Sequence, residues 1–492
     1  MPANGFDFSD GRLEGRAADG RSPELPGVTL RRGAALWLLL FAAYASTLGI
    51  HAFGNSDYGG DEPHYLLTAE SIISDGDVDL ANQYRERAYA DWYPDTLEVQ
   101  GSPTNGQLNE PHGLGFPLLI APAYAIGGPA AVELFLAAVA ALGFVLASAL
   151  ARRLVPEPYA TAAPLVAGLS PPALAYCTAV SPELAAGSVL AGACLLALRV
   201  RDRPRLRTAL VAAALVALLP WLGTSYLAPG AVVAVAITRW LARRRGGIGG
   251  LMALEVVLFS LVMFATINDR LYGGLTPSAA ESPGQSGTDP AFPAGYLDRA
   301  HRLLSLWIDG DYGVLRWAPF GALALWSLWL LWRSRREHVA RALPERLDAE
   351  VAAGLLALVC AAQVFVAAFL SPTASGLWFP GRYLIAALPI AAALAAWGLR
   401  HAPRVGALLA ALTVAASAWL YLELRLGEGS WIFPPQRVPF GPLRDVLPQW
   451  GADSPWPTVV SVAVVAALLA LVAREWRSRR QAEGVARRAY SG

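Results

Sequence analysis

No lysine occurs in this 492-residue chain, so all 39 basic side chains are arginine. Cysteine is nearly as scarce. The three present, Cys177, Cys194 and Cys360, are odd in number and lie in or beside apolar segments. That pattern gives neither a disulfide framework nor the spacing of a cysteine metal site. Charge is thin throughout: 16% of residues are charged, where soluble domains carry about 25%. A formal net charge of +1 leaves no basic surplus for a nucleic-acid partner. The first 30 residues hold no apolar run and are rich in Gly, Arg and Asp. They read as a disordered cytosolic tail, not as a cleaved signal peptide. No internal repeat or soluble domain stands out.

What the chain has instead is apolar length. Apolar residues make up 55% of it, and the mean hydropathy is +0.40. A membrane-spanning helix needs about 20 mostly apolar residues. Stretches of about that length lie at 33–52, 129–151, 157–177, 182–199, 206–221, 223–241, 250–269, 313–332, 350–370, 382–399, 403–421 and 457–473. The segment 113–128, "GLGFPLLIAPAYAIGG", is apolar but short and holds two prolines, so it reads as an interfacial or re-entrant helix. With about twelve spans and both termini cytosolic, 29 arginines fall inside and 10 outside. Counting 113–128 as a span would put Arg243, Arg244 and Arg245 outside, against the positive-inside bias. The fold class expected is therefore an all-α polytopic membrane protein of about twelve helices in the plasma membrane. Its membrane domain runs over 31–475, followed by a basic cytosolic tail at 476–492. Large outside loops fall at 53–128 and 270–312, with membrane lipids as obligatory partners.

The first of these loops is strongly acidic. Residues 53–112 carry twelve carboxylates and two arginines. In "GGDEPHYLLTAESIISDG", Pro63 suits the first turn of a helix and Asp61 or Glu62 its cap. Tyr65, Leu66, Ala69, Ile72 and Ile73 recur at helical spacing, and Gly76 ends the pattern. An amphipathic helix along the bilayer surface is expected, with Asp61 and Glu62 at its N-terminus near the mouth of the bundle. The helix dipole favours an ionised carboxylate there by about 0.3–1 kcal/mol. Simple N-capping and solvation explain the same spacing. Asp75, Asp77, Asp79 and Glu86 fall at calcium-loop positions, but Leu80 stands where an EF-hand needs glycine, so turns and solvation suffice. The tryptophans of "WSLWLLW" and "PWLGTSY" suit membrane interfaces.

An Asp-Glu pair opening the first outside loop after the first span resembles the GT-C glycosyltransferase superfamily, including protein O-mannosyltransferases and aminoarabinose transferases. "NEPHGLGFPLLIAPAY" (109–124) resembles the family's His/Pro-rich segment before the second span. "SPEL" (181–184) resembles its second acidic position, here Glu183. "FPGRYLIAALP" (379–389) resembles a Pro-Arg-Tyr segment opening a late span. The resemblance implies a GT-C-like bundle with interfacial helices in the first outside loop. It implies transfer of a sugar from a polyprenyl-phosphate donor to a lipid, glycan or protein acceptor on the extracytoplasmic face. Asp61 is the expected base for the acceptor hydroxyl, Glu62 orients acceptor or cation, and Glu183 assists in the same cavity. His64, Tyr65 and His112 would line the entrance. Arg382, beside Tyr383, suits the leaving phosphate as a planar fork, with Arg299 and Arg302 in "LDRAHRLL" as further candidates. Each arginine equally suits an interfacial anchor. No cofactor is assigned, and His64 and His112 admit a divalent cation with Glu62 or Glu183, which leaves metal dependence open at this point. A transporter, or a polysaccharide polymerase or ligase using lipid-linked sugars, remains open from sequence. Against the transporter, Glu133 and Glu255 are among the few acids within spans and both sit near helix ends.

Overall fold

The computed structural model describes residues 26–490, apart from 246, 282–292, 335–343, 372, 374–377, 428, 433 and 436. Most of the expected N-terminal tail, residues 1–25, lies outside the described residues. The first half of the chain folds as α1 (Pro26–Ala45), α2 (Glu62–Ser74), α3 (Ala81–Glu86), α4 (Gly115–Ala151), α5 (Tyr159–Gly168) and α6 (Pro171–Tyr176). The central helices are α7 (Glu183–Asp202), α8 (Leu206–Leu222), α9 (Leu227–Arg245) and α10 (Gly247–Tyr272). Short helices α11 (Pro293–Asp298), α12 (Arg302–Ile308) and α13 (Val314–Trp317) lead to α14 (Ala322–Ser334) and α15 (Pro344–Phe365). The chain closes with α16 (Leu388–His401), α17 (Pro403–Leu426), α18 (Gly441–Val446) and α19 (Trp456–Tyr490). Among the described residues there is no strand, only isolated bridges. The protein is all-α and polytopic.

Eight of these helices are long and apolar enough to cross a bilayer, and two shorter apolar helices lie at Leu206–Leu222 and Pro319–Leu331. Among the described residues the expected count of about twelve is therefore not confirmed. Proline divides two of the expected spans. The stretch 157–177 divides into α5 and α6 around Ser170, where Pro171 and Pro172 follow. The stretch 313–332 likewise starts as a short helical turn before Pro319. The segment 113–128 joins the following span in one element, α4, that kinks at Gly127 and Gly128. The break falls where the sequence placed the end of an interfacial helix.

The centre of the bundle is built from α4, α7, α8, α9 and α16. Small residues let these helices approach closely, as membrane helices require. A β-carbon on Gly143 of α4 would fall 2.4 Å from Ser188 Oγ of α7, and one on Gly187 would fall 2.9 Å from the Ala386 carbonyl. Outward-facing Val235, Phe259, Leu358, Leu408 and Leu469 are exposed, as a lipid-facing belt demands. The two long loops meet at one end. Ser102 N donates to Ala280 O at 2.7 Å, and the Asn109 side chain donates to Leu271 O at 3.0 Å.

Candidate functional site

Two left-handed glycines set up the site. Gly60 (φ +58°) precedes Asp61, and a β-carbon there would lie 3.1 Å from the Trp378 indole. Gly381 (φ +97°) precedes Arg382, and a β-carbon there would lie 2.9 Å from Val314. Both turns use a conformation that side-chain-bearing residues seldom adopt. They aim two side chains 321 positions apart at each other.

Arg382 donates from Nη2 to Asp61 Oδ2 at 2.6 Å and from Nε to Glu183 Oε1 at 2.7 Å. Its guanidinium also lies over the Trp378 ring, 4.3 Å from the centroid. One edge of the arginine thus holds both carboxylates, while Nη1 has no hydrogen-bond partner among the described residues. Glu183 stands in the first turn of α7, and its second oxygen, Oε2, is buried without a partner. Asp61 occupies the cap position of α2 but makes no capping bond, so its side chain is committed to Arg382. Burial pushes the Asp61 carboxyl upward, but the Arg382 charge and hydrogen bond, with His112 and His64, outweigh it and hold it at about 2.

Glu62 faces the other way. It is 3% exposed. Its Oε2 accepts from Gly59 N and its Oε1 from Val180 N, both at 2.8 Å. It ties the Gly59–Gly60 turn to the loop before α7, which positions Asp61 against Glu183. Burial raises its carboxyl to about 8, although the two N–H donors pull it down. The contribution of this neutral acid to folding is complete below about 4.5 and is lost as pH rises through about 8. Thermal unfolding is expected to show stability falling between pH 5 and 8 in the native protein, with a flatter profile in Glu62→Gln. Equal slopes in the two proteins would remove Glu62 as the cause. Asp61 contributes with the opposite sign, its share being lost only as pH falls from about 3.8 toward about 2.

A polar chain runs beside the triad of Asp61, Arg382 and Glu183. His112 Nε2 meets Gln100 Oε1 at 2.9 Å, and Gln100 Nε2 meets His64 Nε2 at 2.8 Å. His64 Nδ1 contacts the Tyr84 hydroxyl at 2.9 Å, which in turn donates to Glu110. His64, Glu110 and His112 offer ligand atoms all within 4.8 Å of one another. The carboxylate grouped with the histidines is thus Glu110, where the sequence offered Glu62 or Glu183. Glu110 Oε2 is buried without a hydrogen-bond partner, and burial lowers the His112 pKa, which keeps a ring nitrogen unprotonated. A donor set of two imidazoles and one carboxylate with a spare oxygen fits a divalent metal of the zinc type.

The remaining candidates are spread around this centre. Tyr65 is buried, with its ring edge-on to Phe116 at 4.9 Å and near His112 at 5.3 Å. Tyr383 accepts a bond from Gln363 through its carbonyl at 2.7 Å, and its ring lies 5.9 Å from the Arg382 guanidinium. Arg299 and Arg302 both donate to the Ser371 carbonyl, at 3.2 and 2.7 Å, and Arg299 also donates to the Phe369 carbonyl at 3.0 Å. Asp75, Asp77 and Asp79 close turns: Asp75 accepts from the Asn82 and Gln83 amides, Asp77 from Asp79 N, and Asp79 from Ala81 N and Leu108 N. Sequence reasoning passed over Glu110, Gln100, Tyr84 and Trp378. The Glu-x-His spacing of 110 and 112 was the available signal for the first.

Behind Trp378 lies a cavity of about 250 Å³. Trp378, Tyr176 and Trp431 form aromatic walls, and Glu62, Glu133 and Thr47 supply polar groups. Tyr58 donates to Glu133 at 2.6 Å across its rim.

No protein-family model matches this chain, and no curated protein matches it. Among solved structures, it is similar to ArnT from Cupriavidus metallidurans bound to undecaprenyl phosphate. The likeness covers 82% of this chain and 73% of that one, at 13% identity and a TM-score of 0.44. The apo state of the same protein matches over 80% and 73%, at 13% identity and a TM-score of 0.42.

Proposed function

We propose that this chain is a GT-C-type glycosyltransferase that moves a sugar from a polyprenyl-phosphate donor to an acceptor hydroxyl at the extracytoplasmic face. One observation carries the reading: a carboxylate and an arginine with a spare donor corner meet at the loop end of an apolar helical bundle. In the reaction the acceptor oxygen forms a bond to the anomeric carbon, and the bond from that carbon to the phosphate oxygen breaks. Asp61 takes the hydroxyl proton, and polyprenyl phosphate leaves with the bonding pair. The donor phosphate engages Arg382 through Nη1. That shares the guanidinium charge, weakens its hold on Asp61 and lets the Asp61 carboxyl rise toward its ordinary value. The base is therefore strongest when donor is present. Glu183 fixes the guanidinium plane, Glu62 holds the backbone, and the cavity behind Trp378 suits a sugar ring through aromatic walls and carboxylates.

The triad carries one negative charge when Arg382, Asp61 and Glu183 are all ionised, so an approaching phosphodiester needs further positive charge nearby. His64, Glu110 and His112 would hold a divalent cation that supplies it. Arg299 and Arg302 are further positive groups offered for that role. Protein purified without chelator is expected to carry close to one equivalent of metal by elemental analysis, and His112→Ala to lose it together with thermal stability. Metal content unchanged in that variant would remove the site.

The test of the whole reading is transfer of label from a radiolabelled polyprenyl-phosphate sugar by membranes containing the protein. Labelled acceptor with free polyprenyl phosphate is expected. Label that crosses the membrane with the sugar–phosphate bond intact would establish a transporter instead.

A further inference from the structure

Helix α7 joins two clusters of charge. Its first residue, Glu183, holds Arg382, and its last turn carries Arg199, Arg201 and Asp202. Twenty residues at about 1.5 Å each place these ends about 30 Å apart, the thickness of a bilayer's hydrocarbon core. At the far end, Arg153, Arg199, Arg203, Arg205 and Arg207 line a cavity of about 700 Å³ in which Asp202 is the single carboxylate.

The arginines at this end divide into two kinds. Arg152 pairs with Glu157, Arg153 with Asp202, and Arg201 with Asp348. Arg199, Arg203, Arg205 and Arg207 have no side-chain partner among the described residues. Among the described residues, the cavity wall therefore holds a surplus of four positive charges. Charge that only orients a chain in the membrane needs to lie near span ends, not around one concavity. Helix α8 adds to the field. It starts at Leu206, and Arg205 at its cap has no acceptor with which to cover the first-turn N–H groups. The rest of the lining is Thr208 with two apolar side chains, Leu196 on α7 and Val211 on α8, the latter 54% exposed. A soluble anion has no use for that wall, whereas an acyl chain descending from the bilayer does.

We propose that this cavity binds the phosphate headgroup of an anionic phospholipid, in the leaflet opposite the Asp61–Arg382 site. The four unpaired arginines take the phosphate, and Leu196 and Val211 take the first carbons of an acyl chain. The assignment is independent of the transfer reaction. It is tested by native mass spectrometry of the full chain in an uncharged detergent. Phosphatidylglycerol is expected to be retained where phosphatidylcholine is lost. Each arginine near a membrane surface contributes about 1 kcal/mol to anionic lipid binding. Arg203→Gln with Arg205→Gln should thus weaken phosphatidylglycerol binding about 30-fold, and Arg203→Gln alone about fivefold should the pair not fold. Arg474→Gln with Arg477→Gln, on α19, should change nothing. Retention of both lipids alike, or equal losses in the two pairs of variants, would overturn the site. Thermal stabilisation by inorganic phosphate or glycerol 3-phosphate matching that by the lipid would also overturn it, in favour of a soluble anion.

Discussion

Asp61→Asn is expected to lower sugar transfer by a factor of about 10²–10⁴, the usual contribution of a positioned base. The substitution is nearly isosteric and keeps an acceptor oxygen for Arg382 Nη2, so the fold and donor binding should survive. Asp77→Asn is the matched control in the same loop. Asp77 Oδ1 only accepts from Ser71 and Asp79 N, so its loss should cost modest stability and little turnover. The asymmetry between these two aspartates is the measurement that matters. Equal losses would point to a loop whose integrity alone is required. Full activity in Asp61→Asn would end the proposed mechanism. The pH profile gives an independent reading. If donor binding relieves the hold of Arg382, the acid limb of kcat should lie above that of kcat/KM for donor, because the free protein keeps Asp61 at about 2.

The local features of this site were legible in the sequence, and the long-range ones were not. The helix after Asp61 starts and stops where Pro63 and Gly76 said it should, since capping and termination are decided within one turn. What that local reading missed is the destination of the Asp61 side chain. A cap residue and a salt-bridge residue look alike in sequence, and the Asp61–Arg382 pair spans 321 positions. Only the resemblance to a family offered Arg382 and Glu183, and no spacing rule joins them to Asp61. Glu62 shows a second limit. Adjacent carboxylates suggested adjacent duties, but the left-handed turn at Gly60 sends one toward Arg382 and the other into the backbone of the next loop. Span counting meets a different limit. Average hydropathy does not register the prolines that divide 157–177 into two short helices. The sequence reading separated 113–128 from the next span, whereas the structure joins them in α4 with a kink at Gly127 and Gly128, next to Pro129.

Replacing Arg382 should have a comparable effect by another route, and the choice of replacement decides what is learned. Arg382→Ala leaves Asp61 and Glu183 facing each other, partly or largely buried and unpaired. Breaking such a pair costs about 3–5 kcal/mol, so lost activity there would report on folding. Arg382→Lys keeps the charge and loses the planar fork. A single ammonium cannot reach Asp61 and Glu183 along one edge while offering a further corner to phosphate. Turnover in Arg382→Lys is expected to fall by about 10²–10³, the range for losing one preorganised donor at a developing negative charge. Donor KM should rise with it, because the same corner binds the ground-state phosphate. Unfolding temperature should change little, since both carboxylates keep a cation. A residue that only anchors the membrane interface would show none of this, as lysine snorkels as well as arginine. Unchanged turnover and KM in a folded Arg382→Lys protein would return Arg382 to that anchoring role and leave the donor phosphate to be held elsewhere, with Arg299 and Arg302 the next side chains to replace.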